Sequence, residues 1–302
     1  MAATTTHLRC PRCGNEVRVD FFVCAFCGKR LRFERIENFS IFKRIESEWT
    51  TPDPWYMILL WLFIKPNKAF WSINHRRKSA PGYIILLFDA LLYGFMGLAF
   101  LSHFNIQDIP PLDFRLFFYN LAVFLAFFIF GLAYFFIFGF VLIWLFTKGA
   151  NYAVGFSEKL ESFLGGEAKE QYREAEMSPF SIYKGGTLHQ QQAFKYKMMF
   201  CSFTPFILTN LIEIIIILVG FGSQPINVLG LFDPAVFNEF FNSATWTIIH
   251  FIDAITIGVW VPILVALSIR ELSNSSTTRV LISSLTIGIL VAVLFFFLRP
   301  TF

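Results

Sequence analysis

The chain of 302 residues is 56 % hydrophobic and only 15 % charged, and 41 of its residues are phenylalanine. No soluble domain of this length has a core large enough for so many aromatics, so the composition excludes a water-soluble globular protein and points to a membrane one. The formal net charge is a modest +4, and its placement along the chain carries more information than its size.

The opening MAATTTHLRC lacks the apolar core of a secretory leader, so no cleavable signal peptide is expected. Residues 1–32 hold two short knuckles, Cys10-Pro11-Arg12-Cys13-Gly14 and Cys24-Ala25-Phe26-Cys27-Gly28. Each is a C-x-x-C-G turn, so the thiolates of Cys10, Cys13, Cys24 and Cys27 can converge on one tetrahedral metal. Soft sulfur ligands in that geometry suit zinc. The glycine after each second cysteine frees the backbone to curl its amides toward the sulfurs. A module this small buries too little apolar surface to fold alone, so a structural zinc would supply its folding energy. The expectation is a zinc ribbon of short β-hairpins. Two disulfides or a redox C-x-x-C are the plain alternatives. The matching glycines and the lack of a thioredoxin-like βαβ pattern argue against both. An iron site is a smaller alternative, because rubredoxin-like folds usually separate their knuckles by more chain. Reduced thiols place the ribbon on the cytosolic side. Cys201, in an apolar run, reads as a packing residue. Arg9, Arg12, Arg18, Lys29, Arg30 and Arg32 surround the knuckles. They read as a solvated basic surface; nucleic acid is not an expected partner.

Residues 33–80 form a cytosolic linker. Its apolar stretch 54–64 (PWYMILLWLFI) is too short to span, and its tryptophans with the following Lys65-Pro66 suit a helix lying in the membrane interface. A helix packed against the bundle is the equal alternative. Arg76, Arg77 and Lys78 are candidate contacts for anionic lipid headgroups.

Residues 81–302 form the membrane domain. Crossing about 30 Å of hydrocarbon takes about 20 apolar residues. Five runs qualify, over about 81–104, 114–146, 196–219, 244–269 and 280–298. The second is too long for a level crossing and must tilt or protrude. A hairpin of two short helices is the alternative; the run contains no charge or proline to mark its turn. Tyr152, Phe156, Leu160 and Phe163 recur at helical spacing, which extends this helix into the cytosol until Gly165-Gly166 ends it. Basic residues crowd one side: Lys65 to Lys78 before the first span, Lys148 to Lys197 between the second and third, and Arg270 with Arg279 around the last short loop. On the other side, residues 105–113 and 220–243 contain no Lys or Arg, and only Arg115 and Arg299 flank it. The bias puts the N-terminus in the cytosol and the C-terminus outside. The fold class is thus an all-α polytopic membrane protein of five helices behind a small zinc ribbon.

Lys65-Pro66-Asn67-Lys68-Ala69-Phe70 is a basic-proline stretch leading to an aromatic before the first span. Lys184-Gly185-Gly186-Thr187, then Ala193-Phe194, then Phe203 and Pro205, lead into the third, and Arg270-Glu271-Leu272-Ser273 precedes the last. In this order and topology the body, about 61–302, resembles the Yip domain family, five-pass proteins that interact with Rab GTPases on early secretory membranes. The chain departs from eukaryotic members by its ribbon. It also lacks their aspartate-leucine-tyrosine-glycine-proline motif before the first span; Asp89-Ala90-Leu91-Leu92-Tyr93-Gly94 lies inside a span. The ribbon gives it a prokaryotic look. The resemblance implies a membrane scaffold or adaptor that recruits a cytosolic protein, a small GTPase among the candidates, and organises or shapes the bilayer. It implies the cell membrane if the source is prokaryotic, and otherwise that of the endoplasmic reticulum or Golgi. Expected partners are the lipid bilayer and that cytosolic protein, in a homo- or hetero-oligomer.

Asp89, Glu213, His250 and Asp253 fall within the spans. Ionisable groups there are costly and suggest function by default. Their alternatives are a proton or cation path, which would make the chain a transporter or channel, and a structural polar cluster fixing helix packing. No nucleophile elbow, P-loop, H-E-x-x-H or dinucleotide fingerprint appears, so the chain is not read as an enzyme. Ser275-Ser276-Thr277 reads as a plain loop.

Overall fold

The computed structural model describes residues 7–24, 27–45, 53–75, 80–106, 114–156, 188–222, 224–226 and 241–297. Strands β1 (His7–Arg9) and β2 (Glu16–Arg18) form an antiparallel hairpin, with Leu8 opposite Val17. A 3₁₀ turn follows at Arg35–Asn38, and then two short helices, α1 (Trp55–Ile64) and α2 (Pro66–His75). The first long helix is α3 (Gly82–Leu101), followed by strand β3 (Phe104–Ile106). Helix α4 (Phe114–Val154) comes next. Helix α5 (Leu188–Phe200) leads through a 3₁₀ turn into α6 (Pro205–Gly220), where proline opens the helix at the one position that needs no amide. Strand β4 (Gln224–Ile226) pairs in parallel with β3. Helices α7 (Ala244–Ile255) and α8 (Val261–Ser273) are joined by one π-helical turn, Thr256–Trp260. Helix α9 (Thr277–Phe297) is last.

Five helical stretches are long and apolar enough to cross a membrane: Gly82–Leu101, Phe114–Val154, Ala193–Gly220, Ala244–Ser273 and Thr277–Phe297. The chain is an all-α integral membrane protein with an N-terminal cysteine hairpin module. The second span is one continuous helix of 41 residues. It is far longer than the bilayer core at 1.5 Å per residue, as its apolar length required. It ends earlier than the glycine pair suggested. Gly155 adopts φ 63, a left-handed conformation open to glycine, and its amide closes on the Asn151 carbonyl at 2.9 Å. Leu160, Phe163, Gly165 and Gly166 lie outside the described residues. Along α4 large apolar side chains such as Phe117, Phe130, Ile137 and Trp144 are exposed, as lipid-facing groups are.

The chain divides into two compact units. The first comprises Met1–Gly82, Ile143–Ser202 and Pro262–Ile287. Here α1 packs on α2 through Ile58 and Leu62, which are fully buried, while Trp55, Tyr56, Leu60 and Ile64 stay exposed. The helix thus buries some apolar side chains and leaves others exposed. Lys65 and Lys68 place their ammonium groups over the Trp61 ring, at 5.6 and 4.1 Å.

The second unit comprises Tyr83–Leu142, Phe203–Val261 and Gly288–Phe302. In it α3 and α4 approach through glycines. A Cβ added at Gly97 would lie 2.4 Å from Phe127 Cγ, one at Gly94 2.7 Å from the Phe124 ring, and one at Gly131 2.7 Å from Tyr93 Cβ. Small residues let backbones close in where lipid offers no hydrophobic drive between helices. Substituting Gly97→Val should therefore overpack this contact and destabilise the bundle by about 1–3 kcal/mol. A lower melting midpoint in detergent is the expected readout; an unchanged midpoint would mean the contact is slack.

Candidate metal centre and intramembrane acids

The first knuckle is the loop of the β1–β2 hairpin, and both knuckles use the same backbone closure. The Cys10 amide donates to the Asn15 carbonyl and the Gly14 amide to the Cys10 carbonyl, both at 2.9 Å. The Cys24 amide donates to Lys29 at 2.8 Å and the Gly28 amide to Cys24 at 3.0 Å. Gly14 and Gly28 sit at φ 75 and 67, which explains their recurrence after each cysteine pair.

These two turns bring all four sulfurs within 4.8 Å of one another. Cys10 Sγ lies 3.6 Å from Cys27 Sγ, and Cys13 Sγ lies 3.7 Å from Cys24 Sγ. A disulfide needs about 2.05 Å, whereas the edge of a tetrahedron of sulfurs around a metal at about 2.3 Å is about 3.8 Å. The set fits one tetrahedral four-thiolate metal centre. Cys10 and Cys24 are buried with Val17 and Phe21, whereas Cys13 is exposed. Burial pushes the Cys10 thiol up, but the amides of Cys13 and Arg12 and the neighbouring thiols outweigh it and bring it down to about 7. Burial pushes the Cys27 thiol up. A bound metal holds every one of them as thiolate.

The module is docked, not tethered. Asn274, in the turn between α8 and α9, adopts φ 49, a left-handed conformation that asparagine tolerates. Its Oδ1 accepts from the Phe22 and Val23 amides at 3.2 and 3.0 Å, and its Nδ2 donates to the Val23 carbonyl at 2.7 Å. One side chain thus reads the peptide groups next to Cys24. Just beyond, the Glu34 carboxylate accepts from Ser276 Oγ and from the Thr277 amide, the latter at 2.7 Å, and caps α9. Glu37, 2 % exposed, pairs with Arg44 at 2.9 Å and also with Arg30. Arg44 donates on to the Ser275 carbonyl and to Thr277 Oγ1, and its guanidinium stacks over the Phe22 ring. Arg270, fully buried, donates to the Phe42 carbonyl and to Glu271. Ser275 and Thr277 are buried, so the segment read as a plain loop is a docking turn. Nothing in the sequence of Asn274 or Glu34 signalled this, since their partners lie more than two hundred residues away; Glu37 meets Arg30 and Arg44 seven residues off on either side, a spacing that marks no regular element.

The four intramembrane groups all fall in the second unit, and the structure does not gather them into one site. Glu213 on α6, 2 % exposed, meets Asp253 on α7 carboxyl to carboxyl. Tyr93 of α3 stacks its ring on that of Tyr134 of α4, with centroids 6.3 Å apart. His250 packs its ring against Trp246 and Phe295, with centroids 5.3 and 6.1 Å apart. Asp89 stands apart: it is fully buried and neither carboxyl oxygen has a hydrogen-bond partner among the described residues. Arg76, Arg77 and Lys78 lie outside the described residues.

The docking turn generates a specific expectation. Asn274→Ala removes three hydrogen bonds and strands two amides, at a cost of about 1–3 kcal/mol. Hydrogen exchange at Phe22 and Val23 should then speed up about tenfold or more while the metal content stays whole. Unchanged protection at both amides would show that the ribbon is held elsewhere. Compared with models of known families, with curated proteins and with solved structures, the chain matches none.

Proposed function

We propose that this protein is a membrane scaffold or adaptor that presents a zinc-loaded ribbon on the cytosolic side of its bundle and recruits a soluble protein partner. The observation that carries the reading is the docking of the ribbon. Its second knuckle is bonded to the α8–α9 turn, while Leu8, Arg9, Pro11 and Arg12 around the first knuckle remain exposed. A rigidly held, outward, mixed apolar and basic surface suits recognition of a protein, because little ordering entropy is lost on binding. Zinc is the metal this reading assigns, from four thiolates at tetrahedral spacing.

Charge supports the orientation. Of all Lys and Arg residues only Arg115 and Arg299 belong to the second unit; the ribbon, the linker and every basic loop belong to the first. The positive-inside rule then puts the N-terminus and the ribbon in the cytosol and the C-terminus outside. The resemblance to the Yip domain family makes a small GTPase the leading partner and a trafficking or membrane-shaping role the leading context. Catalysis has no part in this reading.

A second reading rests on the Glu213–Asp253 pair. Two carboxyls facing one another inside a bundle resemble the relays of ion- or proton-coupled transporters. Asp253→Asn separates the two readings. Transport predicts loss of proton or cation flux in reconstituted vesicles, whereas a scaffold shows no flux in the parent protein and keeps its partner in the variant.

The scaffold itself is tested by cross-linking mass spectrometry in native membranes. Wild type should cross-link through Lys29 to a soluble GTP-binding protein. Arg12→Gln combined with Leu8→Ala should lose most of that signal with zinc content unchanged. Equal capture by the variant would remove the ribbon from recognition.

A further inference from the structure

A cavity of about 740 Å³ opens in the first unit where the ribbon meets the start of α9. Its size lies within the roughly 300–1,000 Å³ of small-molecule sites. The ribbon side supplies Asp20, Phe22, Arg32 and Phe33; Arg279 stands in the first turn of α9, and the end of α4 forms another wall. Two carboxylates share the lining, but both are committed. Glu34 has one oxygen on Ser276 and the other on the Thr277 amide, and Asp20 is engaged within the protein. The guanidiniums of Arg32 and Arg279 have no carboxylate partner among the described residues. Two uncommitted guanidiniums in a concave, partly aromatic site call for an anion that accepts in a planar, bidentate way, which is what phosphate oxygens do.

The position in the membrane sharpens this. Helix α9 has 21 residues, about 31 Å at 1.5 Å per residue, so it just crosses the hydrocarbon and its first turn lies at the depth of the headgroups. We propose that this cavity binds a phosphate group, with Arg32 and Arg279 as its ligands and Phe22 and Phe33 as its apolar walls. The site rests on the reading of the ribbon as a metal-held, docked module, because Arg32, Phe22 and Phe33 reach it only through that docking. It is separate from the Arg76-Arg77-Lys78 cluster.

The test uses the full-length, zinc-loaded protein and two probes. In one arm the protein sits in nanodiscs of phosphatidylcholine with or without phosphatidylglycerol. In the other it is in detergent with inorganic phosphate or with chloride at equal ionic strength. The readout is the melting midpoint together with hydrogen exchange over residues 32–34 and 276–279. The expected result is stabilisation by at least one probe, with the apparent affinity falling tenfold or more in Arg32→Gln with Arg279→Gln. Arg35→Gln, which removes an exposed arginine outside the cavity, should behave as wild type. A response to phosphatidylglycerol alone identifies a lipid headgroup; a response to inorganic phosphate as well identifies the phosphate itself as sufficient. No response from wild type, or an equal response from the double variant, overturns the site. Zinc content and protection at Phe22 and Val23 are followed in the same samples. If they are intact while the anion response is absent, the cavity alone fails; if they are lost in wild type, the docked-ribbon reading fails with it.

Discussion

Three hydrogen bonds made by one asparagine hold the cysteine module to the turn between the last two helices. Asn274 satisfies the Phe22 and Val23 backbone immediately before Cys24, so the turn between the last two spans and the metal knuckle share a surface. Neither side has an independent reason to be ordered. A ribbon of this size has almost no core and depends on its metal. A three-residue turn between two helices has only its caps. The Glu37–Arg44 pair next to it shows how the junction is made specific. A buried ion pair adds little net stability because desolvation is costly. Here Arg44 Nη2 donates to the Ser275 carbonyl and to Thr277 Oγ1, and the second Glu37 oxygen meets Arg30, so both charges of the pair have further partners at the junction.

The two units solve different solvent problems. The first carries nearly all the cations and a dense network of side chain to backbone bonds, fitting a surface in contact with water and headgroups. The second relies on glycine–aromatic contacts and on few polar groups. Its Glu213 and Asp253 meet each other, which is the least costly way to keep two carboxyl groups in a helix bundle if a proton is shared between them. Asp89 has no such hydrogen bond among the described residues. The π-helical turn Thr256–Trp260 follows directly on the helix that bears Asp253. Such turns widen the spacing of a helix and recur where a helix must be irregular for function.

How much of this was legible depended on whether the cause was local. The knuckles were legible because the same five-residue geometry, ending in a left-handed glycine, is written twice in the sequence. The spans were legible because hydrocarbon thickness sets a length that composition alone reveals. The end of α4 was not: Gly155 and the Gly165-Gly166 pair look equally able to stop a helix. At Gly155 a left-handed φ marks the end of α4. Asn274, Glu34 and Arg44 were invisible for a deeper reason. An exposed-looking polar residue in a linker and one in a short loop carry no mark that they meet across more than two hundred residues. The four intramembrane groups failed in the opposite sense. Sequence placed each of them within a span, but periodicity along one helix says nothing about which group on another helix it faces, so the Glu213–Asp253 pair and Asp89 looked alike.

Docking changes what the metal can control. Glu34 follows the ribbon directly in the chain, and its carboxylate caps the first amide of α9. Phe22, whose amide Asn274 holds, also lies under the Arg44 guanidinium. The metal-bound fold of the ribbon and the ordered start of the last span therefore stabilise one another, and by linkage the coupling is the same in both directions. A ligand that binds the docked ribbon more tightly than the undocked one strengthens the cap on α9, and an interaction that favours α9 with its start drawn away weakens the metal-bound ribbon. A tethered zinc module would report only on its own partner. This one is built so that an event at the ribbon and the ordering of the start of a membrane helix enter the same equilibrium, with Asn274 as the shared residue.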